Sequence, residues 1–149
     1  MPIVWRDRLN TGNDKIDTDH RYLFCLFNSI ELATSHPDLM KHLPVFFAQL
    51  QAYTAEHFSR EEKIQLRIGY PDAVEHRRLH AEILRQLEGV QAKVNRLMAE
   101  ATPDDERAAL REDLVGEALN LAREWVINHV VKVDCTMIPY LAKHPSDLH

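Results

Sequence analysis

The chain has 149 residues, 45% of them hydrophobic and 28% charged, which suits one globular domain with a substantial core. A net charge of −5 with interspersed signs supplies neither the basic patch that nucleic acid requires nor a Lys/Arg-rich face for an anionic membrane. The opening Met-Pro-Ile-Val-Trp-Arg-Asp lacks the apolar stretch of a signal peptide and no apolar run reaches a membrane span, so a cytoplasmic protein is expected. Residues 1–16 show no sustained period and contain Thr11-Gly12-Asn13-Asp14, a turn-forming cluster, so they read as an N-terminal arm. Asp17 or Thr18 can cap a first helix whose inward stripe is His20, Phe24, Phe27 and Ile30. That helix stops near Ser35-His36-Pro37-Asp38.

A second helix, roughly 41–68, carries Phe46, Leu50, Tyr53, His57, Glu61, Ile64 and Ile68 at alternating steps of three and four. Arg67-Ile68-Gly69-Tyr70-Pro71 then reads as a stop, a turn and a new start. From about residue 72 a third helix sets His76, His80, Ile83, Leu87, Val90, Val94 and Leu97 on one face. Thr102-Pro103-Asp104-Asp105 offers a cap, a proline for the first turn and acids that complement the helix dipole. The fourth helix turns Leu110, Leu114, Ala118, Leu121, Trp125 and His129 inward and fails by Pro139. The expected fold is all-α, an antiparallel up-down-up-down four-helix bundle over residues 17–138 with a loose tail over 139–149.

That topology puts His20, the pair His57 and Glu61, the pair His76 and His80, and His129 at one end of the bundle. Each pair stands four residues apart, one turn of one helix face, and so aims two ligand atoms at one point. Several buried imidazoles and a carboxylate without partners would cost several kcal/mol. A metal removes that difficulty. Imidazole and carboxylate without thiolate suit iron, zinc, manganese or copper, and Cys25 and Cys135 form neither a Cys-x-x-Cys pair nor a disulfide framework. Five histidines and two carboxylates exceed the needs of one ion, so two ions sharing bridging carboxylates fit the count. Asp134 is the second carboxylate, although five helical steps from His129 turn its side chain by ~140°. Either the helix end loosens there or Asp134 reaches sideways.

The set His20, His57-x-x-x-Glu61, His76-x-x-x-His80 and His129-x-x-x-x-Asp134, with Trp5 upstream and Tyr70-Pro71 between the central helices, resembles the hemerythrins, specifically the bacterial ones, over about residues 5–141. The resemblance implies two non-heme iron ions per chain with a bridging oxo or hydroxo group. One iron would take His76, His80 and His129, the other His20 and His57, with Glu61 and Asp134 bridging. Dioxygen would bind reversibly at the open position of the two-histidine iron. Leu23, Phe58 and Trp125 are the expected apolar lining of that position. An imidazole-rich site stabilises high-valent iron less than carboxylate-rich oxygenase sites do, which favours reversibility over oxygen cleavage.

Oxygen storage, delivery or scavenging without turnover is therefore the leading expectation. The alternatives are a redox sensor acting on a separate partner and a di-iron peroxidase or nitric-oxide-handling enzyme. His57-Phe-Ser-Arg-Glu is not the zinc-protease His-Glu-x-x-His, and no pair of Glu-x-x-His motifs marks a ferritin-like centre. His36, His42, His144 and His149 read as solvated, and Cys25 as a small buried hydrophobe. Cys135 reads as structural first, with a redox role as the alternative. From the site outward, helix one offers ~22 Å and helix four ~39 Å, so the hairpin of helices three and four should overhang. Val94, Leu97, Leu110 and Leu114 would then form either the overhang's own core or a surface for a protein partner.

Overall fold

The computed structural model describes residues 2–149, without the side chains of Val126 and Ile127, so residue 1 of the expected arm lies outside the described residues. Four long helices, α1 (Asp14–Ser35), α2 (Leu43–Ile68), α3 (Ala73–Met98) and α4 (Asp104–Arg123), pack each against the next, and α1 closes the ring against α4. A short α5 (Ile138–Leu141) follows. The described residues contain no strand, and no helix among them is long and apolar enough to cross a membrane. This is the all-α four-helix bundle that the periodicity calls for.

Helix boundaries follow local chemistry. Gly69 takes φ 64° and ψ 39°, a left-handed conformation that only glycine adopts without strain. It lets Tyr70 donate to the Gln65 carbonyl at 2.9 Å and Gly69 to the Leu66 carbonyl, the doubly bonded end of a Schellman motif. Tyr70 then turns inward beside Ile64. Helix α1 begins earlier than expected, because Asn13 accepts hydrogen bonds from the backbone of Lys15 and Ile16. Asp17, expected as the cap, instead accepts from the backbone and hydroxyl of Thr11 and so secures the arm. At the start of α4, Thr102 does not cap the helix but donates its hydroxyl to the Arg96 carbonyl at 2.5 Å.

The main apolar cluster runs from Leu97, Leu114 and Met40 at one pole to Phe24, Phe58 and Trp125 near the other, and a smaller one gathers Ile16, Ile64, Tyr70, Met137 and Leu141. Phe47, Leu50 and Leu23 are almost wholly buried, and each such side chain contributes about 1.5–3 kcal/mol. Three sequence expectations change here. The far end of the α3–α4 hairpin is not left bare, because the connection Pro37–His42 folds over it and Arg111 donates to the Met40 sulfur. Val94, Leu97 and Leu114 therefore belong to the chain's own core. The tail is anchored rather than loose: Asp14 donates its backbone N–H to the Ser146 carbonyl at 2.7 Å, and Asn13 donates its side-chain amide to the Leu148 carbonyl at 2.8 Å. Cys25, expected inside, is exposed.

Candidate metal centre

The last turns of α2 and the first of α3 are held together by the Gly69 turn, which brings His57, Glu61, His76 and His80 to one height. His20 arrives from α1, and all five histidines and both carboxylates are at most 3% exposed. The fourth helix resolves the angular objection to Asp134. It widens into a π-helix over Glu124–Val131 and then breaks into a turn in which Lys132 and Val133 both donate to the His129 carbonyl, so the interval from His129 to Asp134 is not regular α-helix. Trp125 and Val130 are both buried, as are His129 and Asp134, and Asp134 opens a tight 3-10 turn just beyond. The helix end loosens so that Asp134 can point inward.

The ligand-type atoms fall into two groups that share the carboxylates: Glu61, His76, His80, His129 and Asp134 in one, His20, His57, Glu61 and Asp134 in the other. Glu61 Oε1 lies 2.7 Å from His76 Nε2 and 3.5 Å from His80 Nε2, while its Oε2 lies 3.1 Å from His57 Nε2. Asp134 splits likewise, with Oδ1 2.9 Å from His76 Nε2 and 3.1 Å from His129 Nε2, and Oδ2 3.1 Å from His20 Nε2. Each carboxylate thus offers one oxygen to each group.

Many of these close approaches are not aligned as hydrogen bonds. The Nε2 atoms of His20, His57 and His76, Glu61 Oε2 and both Asp134 oxygens are buried without a hydrogen-bond partner. His80 and His129 face each other Nε2 to Nε2 at 3.1 Å. Two ligand atoms at right angles on a common ion, each ~2.1 Å away, would be about 3 Å apart, so the spacing suits cations at the centre of each group. Nitrogen and oxygen donors without thiolate suit iron, zinc or manganese.

Outer contacts orient the rings. Asp19, wholly buried, lies 3.2 Å from His57 Nδ1, and accepts from the Tyr53 hydroxyl at 2.7 Å and Arg60 Nε at 2.8 Å. Glu62 Oε1 lies 2.9 Å from His80 Nδ1. A carboxylate on Nδ1 fixes the tautomer that leaves Nε2 free to ligate. Burial works against the Asp19 charge, but the His57, Arg60 and Tyr53 contacts outweigh it and hold this carboxyl far below its usual range. Burial and the bond to Asp19 push the Tyr53 hydroxyl up to about 12. For His57 burial disfavours the cation, yet Asp19 and Glu61 raise it to about 9. Asp134 and Glu61 outweigh burial in the same way at His76, which rises to about 10. Glu61 and Asp134 sit well below the ordinary carboxylate range despite burial, because histidines face them.

Trp125 meets the two-histidine group, with ring centroids 5.7 Å from His20 and 6.4 Å from His57. Phe58 stands between the two groups. Its ring is 5.6 Å from His57 but stacks on His80 at 3.7 Å, within the three-histidine group. Leu23 is fully buried in the core cluster. Asp19, Tyr53, Arg60 and Glu62 had not been singled out as site residues. Tyr53 was legible only as a seam residue, and neither acid has a ligand spacing of its own.

The family model for the hemerythrin HHE cation binding domain matches residues 11–141. The chain belongs to the hemerythrin family. Among hemerythrin relatives, it is 28% identical to a bacteriohemerythrin of Stenotrophomonas maltophilia over 130 residues, covering 86% of this chain and 74% of that one. A Clostridium acetobutylicum bacteriohemerythrin is also 28% identical, covering 89% of this chain and 95% of the relative. The myohemerythrin of Riftia pachyptila is 24% identical, with 89% and 88% covered. For a cation-binding hemerythrin domain, the orphaned inward-facing atoms at the pole of this bundle have an evident purpose.

Proposed function

We propose that this chain binds dioxygen reversibly at a carboxylate-bridged, non-heme di-iron centre, for storage, delivery or scavenging of oxygen rather than for turnover. The observation that carries the reading is the division of seven buried residues into two groups that share Glu61 and Asp134 and differ by one histidine. His76, His80 and His129 would hold one iron and His20 and His57 the other, with both carboxylates and an oxo or hydroxo group between them. When bound, two ferrous ions would supply the electrons that dioxygen takes up reversibly, and the group with fewer histidines, His20 and His57, would leave room for it.

The chain's own residues supply the rest. Asp19 and Glu62 orient His57 and His80 through their Nδ1 atoms. Trp125, 1% exposed, and Leu23, fully buried, keep water from the two-histidine side, and Phe58 packs over His80. Exclusion of water and protons slows oxidation of the ferrous state, which reversible binding requires.

Metal analysis of the purified chain is expected to find two irons. Anaerobic reduction followed by air should produce a visible absorption band that disappears under vacuum. One metal or none per chain would overturn the di-iron reading. A band that never reverses, or turnover of peroxide or nitric oxide faster than by free iron, would replace oxygen binding by an enzymatic role.

A further inference from the structure

Beyond the metal pole, the start of α1 and the last two turns of α2 enclose a cleft of about 640 Å³. Lys15, Arg60, Lys63 and Arg67 converge on it beside Ile64, Leu66 and His149. On a chain of net charge −5, four of eighteen lysines and arginines at one cleft form a local field opposite to that of the whole molecule. Two of them are already paired: Lys15 lies 3.1 Å from Asp19, and Arg60 contacts both Asp19 and Glu56. Lys63 and Arg67 have no ion pair among the described residues, and Arg60 Nη2 is buried without a hydrogen-bond partner. The cleft therefore holds two cations without an ion pair among the described residues, and its exposed apolar wall is Leu66, beside the buried Ile64.

We propose that this cleft is a binding site for a small amphipathic anion, a carboxylate head on an apolar body. Lys63 and Arg67, one helical turn apart on α2, would receive the head, and a guanidinium fork suits a carboxylate. The body would cover Leu66, which is 67% exposed and stands among these cations without an apolar cover. A fully hydrated inorganic anion would leave that surface wet, which sets the expected preference. The volume falls within the ~300–1,000 Å³ of small-ligand pockets. Arg60 is shared with the Asp19 carboxylate that holds His57, so the cleft wall is one residue removed from the metal centre. The proposal rests on these cations and not on the di-iron reading.

Titration calorimetry at low salt with octanoate, 1-octanol and inorganic phosphate tests it on the full chain, with and without prior chelation. Octanoate is expected to bind saturably at one site per chain in both states, at least tenfold tighter than octanol or phosphate. The Lys63→Glu/Arg67→Glu variant should lose at least tenfold in octanoate affinity with an unchanged helical circular dichroism spectrum. Lys63→Gln/Arg67→Gln should weaken binding in the same direction by less. Absence of saturable octanoate binding, equal binding of octanol or phosphate, or an affinity indifferent to the charge-reversed pair would overturn the proposal.

Discussion

Asp19 shows how much one side chain outside the metal shell can control. Its two oxygens meet His57, Tyr53, Arg60 and Lys15, so truncation would strip a buried imidazole of the carboxylate on its Nδ1 and leave Arg60 only its contact with Glu56. Asp19→Ala is expected to cost about 3 kcal/mol in denaturant unfolding of the metal-free chain. It should also weaken iron binding on the order of 10- to 100-fold in a chelator competition, since a ligating histidine loses the group that orients it. The site histidines set the pH dependence of the metal-free chain. His57 and His76 rise from 6.5 to about 9 and about 10, so their stabilisation is complete below pH 6.5 and lost as pH climbs through those values. Glu61 and Asp134 are depressed from 4.5 and 3.8, so their contribution is present above pH 4.5 and lost in acid. Thermal melts of the chelated protein should therefore peak between about pH 4.5 and 6.5. Metal loading reverses the alkaline side, because the ion must displace those protons. Proton release on loading at neutral pH, followed in weak buffer, is the matching measurement.

Among the elements, the α2–α3 turn and the π-segment of the fourth helix decide whether the ligands meet. Gly69 has open space where a Cβ would sit, so Gly69→Ala tests backbone conformation alone. Its left-handed φ of 64° predicts a loss of about 1–2 kcal/mol, read as a lower denaturation midpoint with an unchanged slope. The turn was legible as Gly-Tyr-Pro between two periodic stretches. The irregular end of the fourth helix was legible only as an inconsistency, since His129 and Asp134 could not share the face of a regular α-helix. The boundary of α1 was misjudged for a similar reason. Asn13 and Asp17 are both competent caps, and only the contacts of Thr11 with Asp17 decide between them.

Across the whole molecule, the apolar cluster and the metal pole are adjacent but distinct sources of stability. The pole without an ion contains buried nitrogen and oxygen atoms that lack partners, an arrangement that costs free energy until cations satisfy them. Iron present at a hundred times a site's dissociation constant should add about 2.7 kcal/mol. For a chain of this size that is roughly 5–10 °C in melting temperature. Scanning calorimetry of loaded and chelated samples checks it, and equal melting temperatures would separate the pole from any role in binding metal. The α3–α4 hairpin, which by length alone should project, is covered by Pro37–His42.

By itself the sequence determined the helical bundle, the depth at which His20, His57, Glu61, His76, His80 and His129 lie, and the kind of cation they suit. Those conclusions depend on spacing along a helix, and spacing is a local property that periodicity records. Tertiary structure alone decided that Asp19 and Glu62 reach across to His57 and His80, that Phe58 stacks on His80, and that the connection after α1 folds over the far pole. These are meetings between residues on different elements, set by how the helices rotate and pack against one another. No pattern within a single helix encodes that rotation.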